Sequence, residues 1–255
     1  MSEKIIGIMG AMPQEIEAVV QLLDDKQELV LGKRTYYSGK INGISTVVVF
    51  SRWGKVAAAA TVSCLILEFN ISELIFTGVA GAINNELKIG DIVIARRLLQ
   101  HDMDASPLMP RFEIPLLDKT FFEVSQEKID TATIAVKNLI DNNHLPAVID
   151  ADTLKKFDID SPQFFIGDIA SGDKFFSIKS DKETLIATIP SIQCVEMEGA
   201  AVAQVCYEYD IPFTIIRTIS DTADEQSAID FPLFVKDISS KYSAEIIKNI
   251  YKQLK

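Results

Sequence analysis

Short apolar runs of strand length alternate with helix-length segments along almost the whole chain. The run at 4–10 leads into a helix that opens at Pro13 and is predicted to continue through Leu23, and a predicted helix at 55–69 leads into an apolar run at 73–78. Continuous apolar runs of this length are typical of buried parallel strands, and helices between such strands form βαβ crossovers. The alternation therefore predicts an α/β fold.

The same alternation continues to the carboxyl end of the sequence. Further strands are predicted at 90–94, 164–170, 193–196 and 212–219, and further helices at 130–143, 182–188, 199–209 and 237–254. Two β-rich pieces between 36 and 51 flank Asn42-Gly43, a dipeptide typical of hairpin turns, so one antiparallel pair is expected. We predict a three-layer sandwich in which a mixed central β-sheet carries helices on both faces.

One large core accounts for the composition of the chain. With 255 residues, 48% of them hydrophobic, the sequence is long enough for a single domain spanning 1–255. The segment 145–163 fits the alternation least, because it holds two prolines and several aspartates without a clear period. We expect it to be a surface excursion and assign it no function.

The charge of the chain limits the partners that it can bind. A net charge of −11 and a pI near 4.7 disfavour nucleic acids and anionic membranes, so a small molecule is the expected ligand. No run approaches the roughly 18 apolar residues of a membrane span, and no signal peptide is recognisable. Cys64, Cys194 and Cys206 lack CxxC spacing and are expected to be buried free thiols. These features predict a cytoplasmic protein.

The most informative single segment is the apolar strand that ends in Ser220-Asp221. In open α/β sheets, ligands bind beyond the carboxyl ends of parallel strands, which is where Asp221 is expected. Asp221 could instead cap a helix that starts near Thr222, with Ser220 in support. Arg217 and Asp224 crowd the same strand end, however, and a cap needs only one such group. We therefore expect some of these groups to serve a ligand.

Two further sites present glutamates near strand ends, and the strand end before Glu196 and Glu198 is expected at the same edge of the sheet as Asp221. Glu196 and Glu198 follow the strand predicted at 193–196 and could address one ligand together, or could simply favour the first turn of a helix. Glu15 falls at the third position of the first helix, where a glutamate can cap the helix. The same position stabilises an ionised carboxylate that could act as a base.

Other candidate motifs are weaker. The segment 77–82 (TGVAGA) has a GxxG spacing that would admit a close ligand, yet it equally fits a plain turn. His101, Asp102 and Asp104 lack the spacing of a known metal site, and Ser220 lies in no GxSxG elbow. We therefore predict neither a metal ion nor acyl-transfer hydrolysis.

Taken together, five segments resemble the bacterial 5'-methylthioadenosine/S-adenosylhomocysteine nucleosidases of the nucleoside phosphorylase superfamily. They are GAMPQE at 10–15, GKVAAA at 54–59, TGVAG at 77–81, VEMEG at 195–199 and RTISD at 217–221. The match runs in order over almost the whole chain. VEMEG followed by the R-x-I-S-D strand end is specific to the superfamily, and GAMxxE favours its hydrolytic branch.

The resemblance implies hydrolysis of the bond between adenine N9 and ribose C1' through an oxocarbenium-like transition state. Asp221 would donate a proton to adenine N7, for which its pKa must lie above the ordinary value of roughly 3.9. Glu15 would activate the water, Glu198 would bind the ribose hydroxyls, and Ser220 would hold Asp221. No cofactor or metal is implied.

The resemblance also implies a substrate pocket and a homodimer. Its remaining substrate-binding residues would be Gly81, Phe175, Phe176, Glu196, Met197 and Phe231, with Phe175 stacking on adenine and Phe231 in the 5'-alkylthio pocket. The loop at 105–115 would help to close that pocket in the partner subunit. Val79 and Trp53 depart from the serine and the small aliphatic residue that are common in relatives, and so affect substrate preference rather than catalysis.

Two other functions remain open at the level of sequence. A purine nucleoside phosphorylase would share the fold and would use phosphate; Arg52 could bind that anion, whereas Val79 offers no hydroxyl and Glu15 would repel it. A non-catalytic nucleoside-binding protein would not need both Glu15 and Asp221. The sequence does not rank methylthioadenosine, adenosylhomocysteine, 5'-deoxyadenosine and aminofutalosine-type substrates.

Overall fold

The computed structural model describes residues 4–141, 144–223 and 231–254, in which strands and helices alternate as predicted. The strands are β1 (Ile5–Gly10), β2 (Asp24–Leu31), β3 (Arg34–Ile41), β4 (Ile44–Phe50), β5 (Glu73–Ala82), β6 (Ile92–Gln100), β7 (Phe122–Glu123), β8 (Phe164–Ser171), β9 (Ile192–Glu196) and β10 (Phe213–Asp221). The helices are α1 (Pro13–Val20), α2 (Lys55–Phe69), α3 (Gln126–Ile140), α4 (Leu145–Val148), α5 (Ala151–Lys156), α6 (Lys179–Thr188), α7 (Gly199–Glu208), α8 (Phe231–Phe234) and α9 (Ser240–Gln253).

The sheet is mixed, which confirms the predicted fold class. Strands β4, β1, β5 and β10 lie side by side and parallel, and β6, β8 and β9 form a second parallel set. The antiparallel pairs β10–β6 and β5–β9 join the two sets. The strands β5, β10, β6, β8 and β9 therefore close into a barrel. The antiparallel hairpin expected between 36 and 51 is formed by β3 and β4, and β2 extends it at the edge.

The closure of the sheet brings strand ends of both sets together. Strands β5 and β9 pair over only two residue pairs, Gly81 with Val195 and Ala82 with Cys194. Because this overlap involves the last residues of β5 and the last residues of β9, the carboxyl ends of two oppositely directed strands meet. Strand β10 ends beside β5, where Asp221 pairs with Gly81.

The helices cover this sheet in two groups. Helix α9 packs on α1 and α3, and α2 packs on α7. Helix α9 begins at Ser240 rather than at 237, because a π-helical turn at Val235–Ser239 precedes it. Helix α3 ends at Ile140, and residues 142 and 143 of its predicted span lie outside the described residues. None of the helices described is long and apolar enough to cross a bilayer.

The structure differs from the prediction at the end of α1, at β2 and at the end of β5. Helix α1 ends at Val20, and Leu23 lies beyond it as a buried side chain just before β2. Strand β2 was not predicted because its sequence, DDKQELVL, carries charges and lies exposed at the sheet edge. The segment 77–82 is not a turn: β5 continues through it to Ala82, so its glycines lie inside a strand.

The prediction of a surface excursion at 145–163 was wrong. Helices α4 and α5 fall in this segment, and four of its apolar side chains, Leu145, Ile149, Phe157 and Ile159, are buried in the main core. The prolines and aspartates mark helix starts and turns, such as the Asp150 side chain that accepts from Thr153 N at 2.9 Å. The expectation of buried free thiols holds for Cys194 and Cys206, while Cys64 is half-buried.

Candidate active site

A cavity of about 400 Å³, the inner cavity, lies where the carboxyl ends of β1, β5, β9 and β10 meet. All ten residues singled out from the sequence line it: Glu15, Gly81, Phe175, Phe176, Glu196, Met197, Glu198, Ser220, Asp221 and Phe231. These residues come from segments more than 200 positions apart in the chain. The structure therefore gathers the predicted set at one place, while the role of each residue stays a prediction.

Glu15 is held in this wall by three backbone N–H groups. Its Oε2 accepts from Ala11 N at 2.6 Å and from Met12 N at 2.9 Å, which is the capping contact expected at the start of α1. Its Oε1 accepts from Val79 N of β5 at 3.2 Å. The third contact ties the helix to a neighbouring strand, which a local cap does not require. The capping contact expected for Glu15 is thus formed, while its functional role stays a prediction.

Burial decides the acidity of Glu15. The side chain is 1% exposed, and this desolvation raises its pKa above the ordinary value, against the opposing effects of Arg217 and the three N–H donors. A raised pKa makes the carboxylate a stronger base. Gly78 leaves room for the Glu15 side chain, because a Cβ at Gly78 would lie 2.7 Å from Glu15 Oε1.

Asp221 ends β10 and is fixed at both oxygens. Ser220 Oγ donates to Oδ2 at 2.7 Å, and Ala223 N donates to Oδ1 at 2.9 Å. Residues 222 and 223 are not helical, so within the described residues Asp221 does not cap a helix. Asp224 lies outside the described residues. Gly81 makes room for Asp221, since a Cβ there would lie 2.9 Å from Oδ1.

Glu196 lines the cavity but has its oxygens occupied by protein donors. Oε2 accepts from Arg217 Nη2 at 2.7 Å and from Gly199 N at 2.8 Å, and Oε1 accepts from Gly199 N at 2.9 Å and from the hydroxyl of Ser171. This favours the helix-terminus role over direct ligand binding for this residue. It also corrects the expectation for Arg217, which is 1% exposed and lies against the Phe76 ring at 3.9 Å instead of serving a ligand at the strand end.

Glu198 differs from Glu196 although only Met197 separates them. It lies at the start of α7, and Gly54 N donates to its Oε1 at 2.8 Å. Burial and the nearby Glu196 carboxylate raise the pKa of Glu198 to about 8, so the neutral form dominates at neutral pH in the free protein. A neutral carboxyl group donates one hydrogen bond and accepts others, which suits a pair of hydroxyl groups.

Replacing Glu198 with glutamine should reduce the pH dependence of stability. Because the folded-state pKa lies above the ordinary value of 4.5, the wild-type protein should lose stability as pH rises from about 4.5 to about 8. We expect Glu198→Gln to remove about 3 kcal/mol of that loss, measured by urea unfolding at pH 5 and pH 8. Glu208→Gln, an exposed change in the same helix, should keep the wild-type slope. Equal slopes in all three proteins would contradict the assignment.

Aromatic side chains form the rest of the wall. Phe175 lies edge-to-face with Phe231, with ring centroids 6.3 Å apart, and is 47% exposed, so its ring is available to a ligand. Phe176 is buried and lies edge-on to His101 at 5.2 Å. The loop that carries both phenylalanines is held by Asp173, whose carboxylate accepts from Lys55 N at 2.8 Å.

Comparison with known proteins places these features in a family. A model of the phosphorylase superfamily matches residues 5–252. A 5'-methylthioadenosine/S-adenosylhomocysteine nucleosidase of Oceanobacillus iheyensis is 33% identical over 250 residues, which cover 98% of this chain and 99% of that protein. The chain belongs to this nucleosidase family. The resemblance inferred from the sequence is thereby confirmed.

Other members of the nucleosidase family are equally similar. An aminodeoxyfutalosine nucleosidase of Helicobacter pylori is 33% identical over 250 residues, covering 98% of both chains. The solved structure of a 5'-methylthioadenosine/S-adenosylhomocysteine nucleosidase from S. pneumoniae, with the transition-state inhibitor MT-ImmA, superimposes with a TM-score of 0.84 at 31% identity, covering 98% of this chain and 100% of that one. The family thus includes proteins named for different 5'-substituted nucleosides.

Several lining residues of this nucleosidase were not predicted as site residues. They are Ala11, Met12, Ala80, Lys174, Val195 and Pro232; Trp53 and Val79 also line the cavity, and the sequence had connected both with substrate preference. Most of them adjoin a predicted residue in sequence, as Lys174 adjoins Phe175. Proximity to the motifs in the sequence was therefore the signal that could have identified them.

The His101 segment forms no metal site in the described chain, where no cluster of three or more potential ligands occurs. Asp102 instead pairs with Lys55 at 2.5 Å.

Proposed function

We propose that this N-glycosyl hydrolase cleaves 5'-methylthioadenosine and S-adenosylhomocysteine to adenine and the corresponding thioribose. The observation that carries the proposal is the meeting of Glu15, Glu198 and Asp221 in one cavity, where Glu15 lies in the first turn of α1, Glu198 follows β9 and Asp221 ends β10. Two carboxyl groups with separate tasks are what glycosidic hydrolysis requires, and a third can bind the sugar. The family relatives named for this activity support the same substrate class.

In the proposed reaction, Asp221 gives its proton to adenine N7. The bonding electrons of the C1'–N9 bond then move into the purine, which leaves a ribosyl oxocarbenium ion. A water molecule attacks C1' while the Glu15 carboxylate takes its proton, and the products are adenine and a ribose with a hydroxyl at C1'. Proton exchange with solvent restores Glu15 as a base and Asp221 as an acid.

The remaining groups orient the nucleoside. In this proposal Glu198 binds the ribose hydroxyls and the ring of Phe175 stacks on the base; both residues line the cavity, and Phe175 is half-exposed. Ser220 holds Asp221 through the 2.7 Å hydrogen bond to Oδ2. Glu196 acts through Glu198 and not on the substrate. Its ion pair with Arg217 and its hydrogen bond from Gly199 N fix the backbone at the start of α7, where Glu198 lies.

The cavity favours water over phosphate as the attacking group. Among its described lining residues, Lys174 is the one cation, and it pairs with Asp181 at 2.7 Å. A phosphorylase would need donors for a dianion near C1', where this chain offers the Glu15 carboxylate and the apolar side chain of Val79. Both groups disfavour a bound phosphate.

Adenine release from methylthioadenosine tests the proposal. We expect turnover in phosphate-free buffer and a rate that changes less than twofold when 50 mM phosphate replaces an inert salt at about the same ionic strength. A rate that requires phosphate would identify a phosphorylase. Binding of methylthioadenosine without any release of adenine would identify a nucleoside-binding protein.

We also propose a place and an assembly for the enzyme. Its products suit the recycling of S-adenosylmethionine by-products and methionine salvage in the cytoplasm. A homodimer is proposed from the family resemblance and from the loop at 105–115, where the Leu108 side chain is 90% exposed. Light scattering should give a mass near twice 28.2 kDa. A mass of one chain would contradict the homodimer.

A further inference from the structure

A second cavity of about 500 Å³, the outer cavity, continues from the inner one. Five lining residues are common to both, among them Met12, Trp53 and Phe231. Neither Glu15 nor Asp221 lines the outer cavity, which extends instead toward Gln14, Phe50 and Arg52. The shared walls make it a continuation of the substrate pocket.

The proposed function determines which part of a nucleoside reaches the outer cavity. The base lies at Asp221, the ribose hydroxyls at Glu198 and the attacking water at Glu15. The lining residues that the inner cavity shares with the outer cavity then remain for the rest of the nucleoside. The substituent at C5' is the remaining part of the nucleoside, so it must leave along Met12, Trp53 and Phe231. A long 5' substituent therefore ends in the outer cavity.

The outer cavity has an apolar floor and one charge. Trp53 is 61% exposed, so its indole face is open to a flat or aliphatic group. Arg52 is the one charged residue among the described lining residues, in a chain whose net charge is −11. Its φ of 75° is in the left-handed region, where glycine is the favoured residue, so a side chain here has a conformational cost.

A neighbouring arginine adds to this local positive charge. The turn between β2 and β3 brings Lys33 beside the loop, because Arg52 Nη2 donates to the carbonyl of Lys33. Arg34 Nε donates to the carbonyl of Ser51 at 3.1 Å and braces the same loop. The Arg34 guanidinium thus lies beside the loop that carries Arg52, and the Lys33 backbone contacts the same loop.

We propose that Arg52 is a specificity-determining residue that selects nucleosides whose apolar 5' substituent ends in a carboxylate. The guanidinium would bind the carboxylate, and Trp53 would pack on the apolar part of the substituent. The inference rests on the proposed function, which places the C5' group. It goes beyond that function by naming the charge that the outer cavity prefers.

The test uses two nucleosides that differ only in charge, 5'-S-(4-carboxybenzyl)-5'-thioadenosine and its carboxamide. We expect the wild-type protein to prefer the carboxylate by about fivefold in kcat/KM, the range of a partly exposed ion pair. In Arg52→Gln the preference should fall to about one. The control Lys33→Gln removes the same charge from a residue outside the lining and should keep most of the preference. Thermal unfolding checks that each variant folds.

Two outcomes separate this inference from the proposed function. If no nucleoside is hydrolysed, the proposed function fails, and dissociation constants of the two intact compounds from calorimetry still test Arg52 by the same ratio. If both compounds are hydrolysed without preference, or if Arg52→Gln keeps the wild-type preference, the role of Arg52 is overturned while the hydrolase activity stands.

Discussion

Asp221→Asn should lower kcat for methylthioadenosine by at least 10²-fold, within the range of about 10²–10⁴ that general acid catalysis contributes. Asparagine keeps the shape of the side chain, and its oxygen can accept from Ala223 N while its amide group donates to the Ser220 hydroxyl, but it has no acidic proton to give to adenine. The loss should appear in kcat more than in KM, because the proton is needed only as the glycosidic bond breaks. Steady-state adenine release measures both constants.

A matched control separates this effect from damage to the fold. Asp210→Asn makes the same chemical change at an exposed residue just before β10, at a left-handed φ of 54° that asparagine tolerates. It should keep wild-type kcat. Near-normal turnover in Asp221→Asn would remove Asp221 from the acid role, and a lowered melting temperature with lost nucleoside binding would show a structural role instead.

Glu15→Gln should reduce hydrolysis by a similar factor while leaving nucleoside binding measurable. The neutral amide cannot take the proton of the attacking water, whereas the Glu15 carboxylate, which accepts from three backbone N–H groups, can take it. Single-turnover adenine release gives the chemical rate, and calorimetry with methylthioadenosine gives the affinity. The control Glu17→Gln makes the same change at an exposed position of α1, two residues after Glu15, and should keep the wild-type rate of adenine release.

A second variant tests the position of Glu15 without changing its chemistry. Gly78→Ala places a Cβ 2.7 Å from Glu15 Oε1, so the carboxylate or the strand must move. Misplacing a catalytic group by about 1 Å can cost on the order of 10²-fold in rate. If the Glu15→Gln variant hydrolyses the nucleoside normally, Glu15 is only a helix cap.

If the Glu15→Gln variant does not fold, Gly78→Ala still tests the base. Normal hydrolysis by Gly78→Ala would contradict a precisely held carboxylate.

The strand ends could be predicted because their chemistry is local. The apolar run ending in Asp221 identifies a buried strand with a carboxyl group at its end, and β10 ends at that residue. The meeting of this end with the Glu196–Glu198 segment was also expected, but for an incomplete reason. Strand β9 is antiparallel to β5, and the two ends meet because the sheet closes into a barrel. Closure depends on strand order and twist, which local patterns do not encode.

The division of work between Glu196 and Glu198 could not be read from the sequence. Both lie near a strand end and before a helix, and their spacing suggests a shared task. Their difference arises from Arg217, which is distant in sequence and pairs with Glu196 at 2.7 Å. A buried arginine of this kind neutralises one carboxylate, so Glu198 is the one that we propose for the ligand. The partner choice depends on the closed sheet, which brings Glu196 at the end of β9 within reach of Arg217 on β10, where the guanidinium lies over the Phe76 ring.

The second cavity was also beyond the reach of sequence patterns. Trp53 and Arg52 follow β4 directly, and the sequence marked both residues without assigning them a shared surface. Their surface depends on Phe231, which is 178 positions further along the chain and lines both cavities. Contacts of such long range are set by the fold as a whole.

The central claim is that water, activated at Glu15, attacks C1' of the nucleoside. The most direct test is turnover of methylthioadenosine in H₂¹⁸O with phosphate present, followed by mass spectrometry of the sugar before its C1 oxygen exchanges with solvent. We predict free methylthioribose that carries one ¹⁸O at C1, and no sugar phosphate. Methylthioribose 1-phosphate as the first product would contradict the account.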